Sequence, residues 1–295
     1  MSVNDIKYSF MHGAGNIFCV IDNRALNLSI QDLAIFIVNR LPITWSVDGL
    51  IAIRESDTND FAVDFLNPDG THGAMCGNGA RCAVTYFVQE IENPIPDSGD
   101  VTFTMAGKEY QADYILFGEI VNVYFDEIPS IKEVIIPNNQ SIHGFYVENG
   151  SDHLIIDAMQ IVQSEQEFHE FDLHTFALPL RHAKMFPRGV NVNIVYHTLD
   201  NTLLIRTFER GVERETAACG TGALAAAFTY VSQSGSTYIS GNTFMYPVKI
   251  IVKSQYELII KHRNGVQGLY LSGPAEILTE KEAYQMYVHN TKGVS

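Results

Sequence analysis

Short apolar stretches separated by polar turns run through most of the chain. Residues 17–22 (IFCVID) and 49–54 (GLIAIR) are brief apolar runs and predict strands. Between them, residues 30–41 (IQDLAIFIVNRL) repeat their apolar positions at helical spacing. Residues 62–66 (AVDFL) alternate as a strand does and run into Asn67-Pro68-Asp69-Gly70, a strong turn signal. A glycine-dense segment follows, and residues 80–91 (ARCAVTYFVQEI) then predict a helix. From residue 101 to about 134 the pattern is again short strands with turns. In the second half, residues 145–148, 153–156, 192–196 and 203–208 predict strands, residues 223–233 a helix, and residues 248–252, 257–261 and 268–272 further strands. The fold class expected is α+β, with many strands and one prominent helix per half.

The two halves share a motif. Met75-Cys76-Gly77-Asn78-Gly79-Ala80-Arg81 aligns with Ala218-Cys219-Gly220-Thr221-Gly222-Ala223-Leu224. In both, a thiol and glycines precede a helix of small residues. A second echo pairs His12-Gly13-Ala14-Gly15-Asn16 with Pro187-Arg188-Gly189-Val190-Asn191, each leading into a strand. Two similar halves facing each other would put Cys76 and Cys219 on opposite walls of one cleft.

Composition narrows the function classes. The 295 residues suit two domains of ordinary size, and 46% hydrophobic with 18% charged residues fits a soluble globular protein. No run of about 18 apolar residues predicts a membrane span, and the N-terminus lacks the basic and apolar regions of a signal peptide. A cytoplasmic protein is expected. A net charge of −15 repels phosphate backbones, which argues against nucleic acid as a partner. The four cysteines, Cys19, Cys76, Cys82 and Cys219, form no C-x-x-C pair, so neither structural zinc nor a disulfide scaffold is expected. Cys19 and Cys82 read as core residues. The cluster at 165–174 (EQEFHEFDLH) reads as a solvated acidic loop, because its spacing matches no open metal site.

The chemistry follows from the paired motif. Glycines before a helix admit a ligand close to the backbone. The first N–H groups of a helix lack internal partners, and two such ends would cradle one carboxylate. A helix N-terminus or a nearby cation can bring a cysteine from its free value of about 8.5 to roughly 3.5–7.5. An α-carboxylate held between the two motifs places the α-carbon between two thiols. One thiolate then removes the α-proton from one face, and the other thiol returns a proton to the opposite face. The N–H groups would stabilise the developing charge.

These residues resemble diaminopimelate epimerase. The resemblance runs through Met11-His-Gly-Ala-Gly-Asn16, Asn67-Pro-Asp-Gly-Thr71, Met75-Cys-Gly-Asn-Gly-Ala-Arg-Cys82 and Phe186-Pro-Arg-Gly-Val-Asn-Val192. It continues through Glu209-Arg-Gly-Val-Glu-Arg-Glu-Thr-Ala-Ala-Cys-Gly-Thr-Gly-Ala223 and Ser272-Gly-Pro-Ala275. It implies two pseudo-symmetric domains, each a curved, mostly antiparallel sheet around a central helix. They are expected at 1–125 and 126–275, with 276–295 packing back on the first. It also implies a homodimer, an amino-acid substrate bound in the cleft, and conversion of LL-diaminopimelate to the meso form without cofactor or metal, for lysine and peptidoglycan precursors.

Residue by residue, the resemblance makes Cys76 and Cys219 the catalytic pair. Gly77, Asn78, Gly220 and Thr221 would hold the α-carboxylate, and Asn16, Asn67 and Asn191 would bind substrate. Glu209 and Arg210 would form the acid–base pair of the site, with Arg210 forked onto the distal carboxylate. His153 would help set a thiol's protonation state by titrating near neutral pH. Three positions depart from the pattern. Ile17 stands where aspartate is usual, Ser151 where an asparagine contacts substrate, and Asp152 where proline is usual. The alternatives are a related cofactor-independent racemase of another amino acid, and a non-enzymatic redox switch through a Cys76–Cys219 disulfide.

Overall fold

The computed structural model describes residues 6–41, 43–91, 96–127, 129–136, 141–234, 245–262 and 268–292. The chain divides into two compact units, Met1–Phe125 with Ser272–Ser295, and Asp126–Leu271. The return to the first unit begins at Ser272 and not at 276, because the strand that carries it is already committed there. Ala275 of that strand donates its N–H to the Glu119 carbonyl and pairs with Gly13.

The first unit is built from β1 (Ser9–Gly13), β2 (Asn16–Asp22), β3 (Gly49–Arg54), β4 (Phe61–Leu66), β5 (Gly99–Met105), β6 (Lys108–Ile115) and β7 (Ile120–Phe125). The end of β16 (Leu269–Leu278) lies between β7 and β1 and pairs with β1, so the sheet closes on itself. Its axis is filled by α2 (Gly77–Tyr86), all ten residues of which are buried. A π-helical turn, Phe87–Ile91, extends α2 to the end of the helix expected from the sequence. The core holds a ring stack: Phe61 lies 4.6 Å from Phe87 and 5.3 Å from Phe103. Phe61→Ala would leave a cavity at the centre of this stack. It is expected to cost about 3–5 kcal/mol, read as a lower urea midpoint at unchanged slope.

A second apolar cluster lies outside the closed sheet, where α1 (Ile30–Ile35) is capped by Ser29 and Asp32 in a reciprocal capping box. The C-terminal helix α6 (Glu280–Lys292) buries Ala283 there, and Asn290 donates to the Gly15 carbonyl at 2.9 Å.

The second unit repeats the strand pairing and the central helix of the first. Its strands are β8 (Ser130–Ile136), β9 (Ile142–Glu148), β10 (Asp152–Asp157), β11 (Asn191–His197), β12 (Leu203–Glu209), the two-residue β13 (Arg214–Glu215), β14 (Val248–Ile251) and β15 (Glu257–His262). Their order is β15-β14-β12-β11-β10-β9-β8, with β13 on β12. The central helix is α5 (Gly220–Ser232). From β1 to β6 the pairings run antiparallel, parallel, antiparallel, parallel, antiparallel. From β9 through β10, β11, β12 and β14 to β15 they run the same way. In each series the central helix lies between the fourth strand, β4 or β12, and a parallel fifth, β5 or β14. The internal repeat is therefore one of topology as well as motif.

That register corrects the second echo read from the sequence. The turn at 13–16 leads into β2, whose counterpart is β10 and not β11. The true partner of the Gly15 turn is the Gly150 turn, and both glycines hold φ +91°, the left-handed region where a side chain is strained. The acidic segment 165–174 is also not a loop. It forms α3 (Glu165–Glu170) and the start of α4 (Leu173–Arg181), capped by Ser164 and Asp172. Phe168 and Leu173 reach the core from among the charges and anchor both helices. Among the described residues, no helix is long and apolar enough to cross a membrane.

Candidate active site

Cys76 and Cys219 occupy the same structural position. Each is the N-cap of its unit's central helix, with φ −115° and ψ 106° at Cys76 and φ −133° and ψ 106° at Cys219. The extended cap conformation turns the thiol toward the open end of the helix, where the first N–H groups emerge. At Cys76 the sulfur accepts the Gly79 N–H at 3.3 Å. Cys219 is 6% exposed, and its sulfur lies 3.6 Å from the Thr221 hydroxyl. Cys19 and Cys82 are fully buried and burial pushes both thiols up, so neither supplies a thiolate.

In the first unit the sequence-predicted residues Asn16, Gly77 and Asn78 meet at Cys76. Asn78 donates its side-chain N–H to the Asn16 oxygen at 2.6 Å. The chain at Gly13 passes so close that a Cβ there would sit 2.6 Å from the Asn78 carbonyl oxygen. Glycine at this position is thus required by the approach of β1 to the helix start. Asn67 lies in the turn between β4 and α2. Its side-chain amide donates to the Thr71 hydroxyl and the His72 carbonyl at 3.0 and 3.4 Å, so those protons are spent within the turn.

In the second unit Gly220 and Thr221 form the first turn of α5 behind Cys219. Here a chain of side chains ends at the sulfur. The Asn193 amide donates to the carbonyls of Leu154 and Asn191, while its oxygen accepts the Thr207 hydroxyl. That orientation turns its nitrogen toward His153 Nδ1, at 3.3 Å. An amide nitrogen cannot accept a proton from the ring, so Nδ1 is the bare nitrogen and Nε2 carries the proton donated to Thr221 Oγ1 at 3.1 Å. The Thr221 hydroxyl is left to donate to the Cys219 sulfur. A Cβ on Gly222 would lie 2.6 Å from the Asn193 oxygen, so glycine is required there too.

The expectation that His153 titrates near neutral pH is overturned. It is fully buried, and burial, helped by the Arg210 charge, pulls its pKa down to about 3. Between pH 6.5 and about 3 the unfolded chain binds a proton at His153 that the folded protein does not. Folded stability therefore falls as pH drops through that window. Urea titrations at descending pH are expected to show this loss, with a shallower slope in His153→Gln.

Arg210 and Asp152 are joined in the structure. Arg210 Nη1 donates to Asp152 Oδ2 at 2.8 Å and to the carbonyls of Arg188 and Gly189. The other oxygen of Asp152 takes Arg188 at 2.7 Å and the Tyr146 hydroxyl. Burial would raise the Asp152 pKa, but the Tyr146 hydroxyl and the two guanidiniums outweigh it and hold the carboxyl below its usual range. Asn191 braces the same loop: its amide donates to Ser151 Oγ and the Asp152 carbonyl, and its oxygen accepts the Arg210 N–H. Its amide protons are thus engaged within the protein. Glu209 ends β12 and accepts the Thr216 hydroxyl at 2.9 Å. Ile17, at the start of β2, is buried in the outer cluster of the first unit.

The supporting residues Asn193, Thr207, Tyr146 and Arg188 were not singled out from the sequence. Asn193 was signalled faintly, as a polar residue inside an otherwise apolar strand. No group of three or more metal-ligating side chains occurs among the described residues.

The signature of the diaminopimelate epimerase family matches residues 8–111 and 145–268. The diaminopimelate epimerase of Chlorobaculum tepidum is 35% identical over 90% of this chain and 96% of its own. That of Chlamydia trachomatis is 27% identical over 94% of this chain and 92% of its own. Among solved structures, a hydroxyproline epimerase from Agrobacterium vitis superposes with a TM-score of 0.68 at 13% identity, covering 93% of this chain and 91% of that one. A probable proline racemase from Agrobacterium radiobacter gives 0.65 at 16% identity, covering 93% and 92%. Those two likenesses are of fold. With the signature spanning both cysteine motifs and a 35% identical relative covering 90% of this chain, the chain belongs to the diaminopimelate epimerase family, a family of isomerases.

Proposed function

We propose that this protein epimerises LL-diaminopimelate to meso-diaminopimelate with Cys76 and Cys219 as a two-base pair and without a cofactor. The observation that carries the reading is the placement of both thiols as N-caps with nearly the same backbone angles at equivalent points of a repeated topology. The substrate's α-carboxylate would accept N–H groups of the Gly77–Asn78 and Gly220–Thr221 turns. One thiolate takes the α-proton, the C–H electron pair is left on the α-carbon, and the opposite thiol gives up its proton to the other face. Thiolate and thiol have then exchanged places. The helix N–H groups stabilise charge that moves onto the carboxylate.

His153 and Thr221 fit this scheme as positioning residues: His153 Nε2 donates to the Thr221 hydroxyl, and that hydroxyl faces the Cys219 sulfur. Glu209 and Arg210 would meet the distal end of the substrate, with Asn16 and Asn67 at its sides. A cytoplasmic homodimer belongs to the same reading and is tested by light scattering of the purified protein.

A second reading is favoured by one feature. Arg210 already holds a carboxylate of the protein, that of Asp152. A racemase of another amino acid would need less from that arginine. Purified protein in D2O is to be given LL-diaminopimelate and a panel of single-centre amino acids. Epimerisation of diaminopimelate with one deuterium entering the α-position is expected. Racemisation of another amino acid with diaminopimelate untouched would overturn the proposal in favour of the second reading.

A further inference from the structure

Arg81 is the largest fully buried side chain among the described residues. A guanidinium is always charged in practice and is rarely buried without a carboxylate. Its acceptors here are all neutral: the Asn78 side-chain oxygen at 2.8 Å, the Gly77 carbonyl at 3.3 Å and the Pro274 carbonyl at 3.5 Å. Among the described residues no carboxylate comes within ion-pair distance of it. Facing it are Cys76 and Cys82 of its own helix and His12 of β1. Glu276 of β16 lies 3.6 Å from His12 Nε2. His12 is itself held neutral by burial, which pulls its pKa down.

The position of this cation is informative. Two of its acceptors are the residues directly after Cys76, so the charge lies under the turn whose N–H groups and thiol open the helix. A guanidinium has only donors. The atom of Asn78 that faces it must therefore be the oxygen, and Asn78 must turn its nitrogen to the Asn16 oxygen. Asn16 is in turn left with its N–H2 group to offer, and no acceptor among the described residues takes it. One buried residue thus sets the direction of a three-residue chain, so that unit 1 presents donors only at this point. Donors, a helix N-terminus and an uncompensated cation all call for negative charge in the same place.

We propose that Arg81 is a positioning residue that orients Asn78 and Asn16 as donors and whose buried charge keeps Cys76 in its thiolate form, the thiolate and the substrate carboxylate serving as its missing counter-ions. This rests on the reading of Cys76 as an acid–base residue, but not on the identity of the substrate. Burial draws the Arg81 pKa down to about 10, which leaves it charged at neutral pH.

The test reads the thiol directly. In a Cys219→Ala background Cys76 is the accessible thiol, since Cys19 and Cys82 are fully buried. Its alkylation by iodoacetamide is followed against pH. Arg81→Met is expected to move the alkylation midpoint upward by about one pK unit and to slow the reaction by about tenfold at pH values well below the midpoint. Arg81→Lys, which keeps the charge, is expected to return the midpoint to that of the parent. A role confined to packing would leave the midpoint in place. Each variant is checked first for a cooperative urea transition. Should Arg81→Met lack one, Asn78→Asp replaces it; this leaves the guanidinium in place, gives it a carboxylate, and is expected to move the midpoint in the same direction. An unmoved midpoint in the folded variant overturns the proposal. Epimerase assays of Arg81→Lys with Cys219 present complete the separation. If the intact enzyme fails on diaminopimelate while the midpoint still moves, the substrate assignment falls and the role of Arg81 stands.

Discussion

Cys76→Ala and Cys219→Ala are each expected to lose epimerisation in both directions, by about 10⁴-fold or more, while keeping the fold. The size follows from the loss of a general acid or base, worth about 10²–10⁴-fold, in a reaction where inversion needs both groups at once. The fold is expected to survive because both thiols sit at helix N-caps and alanine removes only one small atom from each. Cys76 is part-exposed, and the cap bond it accepts from the Gly79 N–H is worth about 1 kcal/mol. The sharper expectation concerns isotope exchange. With one thiol gone, the remaining thiolate still reaches the α-proton of one stereoisomer and returns a solvent-exchanged deuteron to the same face. Each variant should therefore wash deuterium into one stereoisomer without inverting it, and the two variants should choose opposite stereoisomers. Mass spectrometry and chiral chromatography of the recovered substrate in D2O read both outcomes. Normal epimerisation by Cys219→Ala would rule out the two-base mechanism.

Much of this arrangement was legible in the chain. The cysteine–glycine motifs carry it because two physical needs converge on the same few residues. A helix start that receives an anion requires small residues, and a reactive thiol requires the N-cap. The strands at 17–22, 49–54 and 203–208 were legible for the ordinary reason that short β-branched runs between turns have few other uses. Three things were not. The helices within 165–181 were masked by charge, since Phe168 and Leu173 are isolated apolar anchors in an acidic stretch. The true partner of the Gly15 turn was hidden because the Gly150 turn shares its backbone conformation but few of its side chains. Most of all, the surroundings of His153 were invisible. Its neutrality is set by complete burial beside Asn193 and Thr221, and burial is a property of the assembled sheet and helix that no local pattern reports.

Arg210→Met is expected to raise KM for LL-diaminopimelate by about 10²-fold or more with a smaller change in kcat. A distal carboxylate forked onto a guanidinium is held by two charge-assisted bonds, each worth about 1.5–3 kcal/mol. The structure shows how that fork would be presented. Asp152 and two backbone carbonyls all bind Nη1, which pins one edge of the guanidinium, while among the described residues no acceptor takes Nε or Nη2. A carboxylate approaching that second edge would meet an arginine already oriented. The same contact predicts a stability cost, because Arg210→Met removes one of the partners of a carboxylate that is only 6% exposed. Arg188 and the Tyr146 hydroxyl remain, so the cost is expected to be about 2 kcal/mol, below the about 3–5 kcal/mol of a buried charge left with no partner. The two effects separate in the double variant Asp152→Asn with Arg210→Met. Removing the buried negative charge should restore much of the urea midpoint and leave KM as high as in Arg210→Met alone. If KM recovered together with stability, Arg210 would be acting through the Asp152 loop and not on the substrate, and the racemase reading with no distal carboxylate would gain the stronger position.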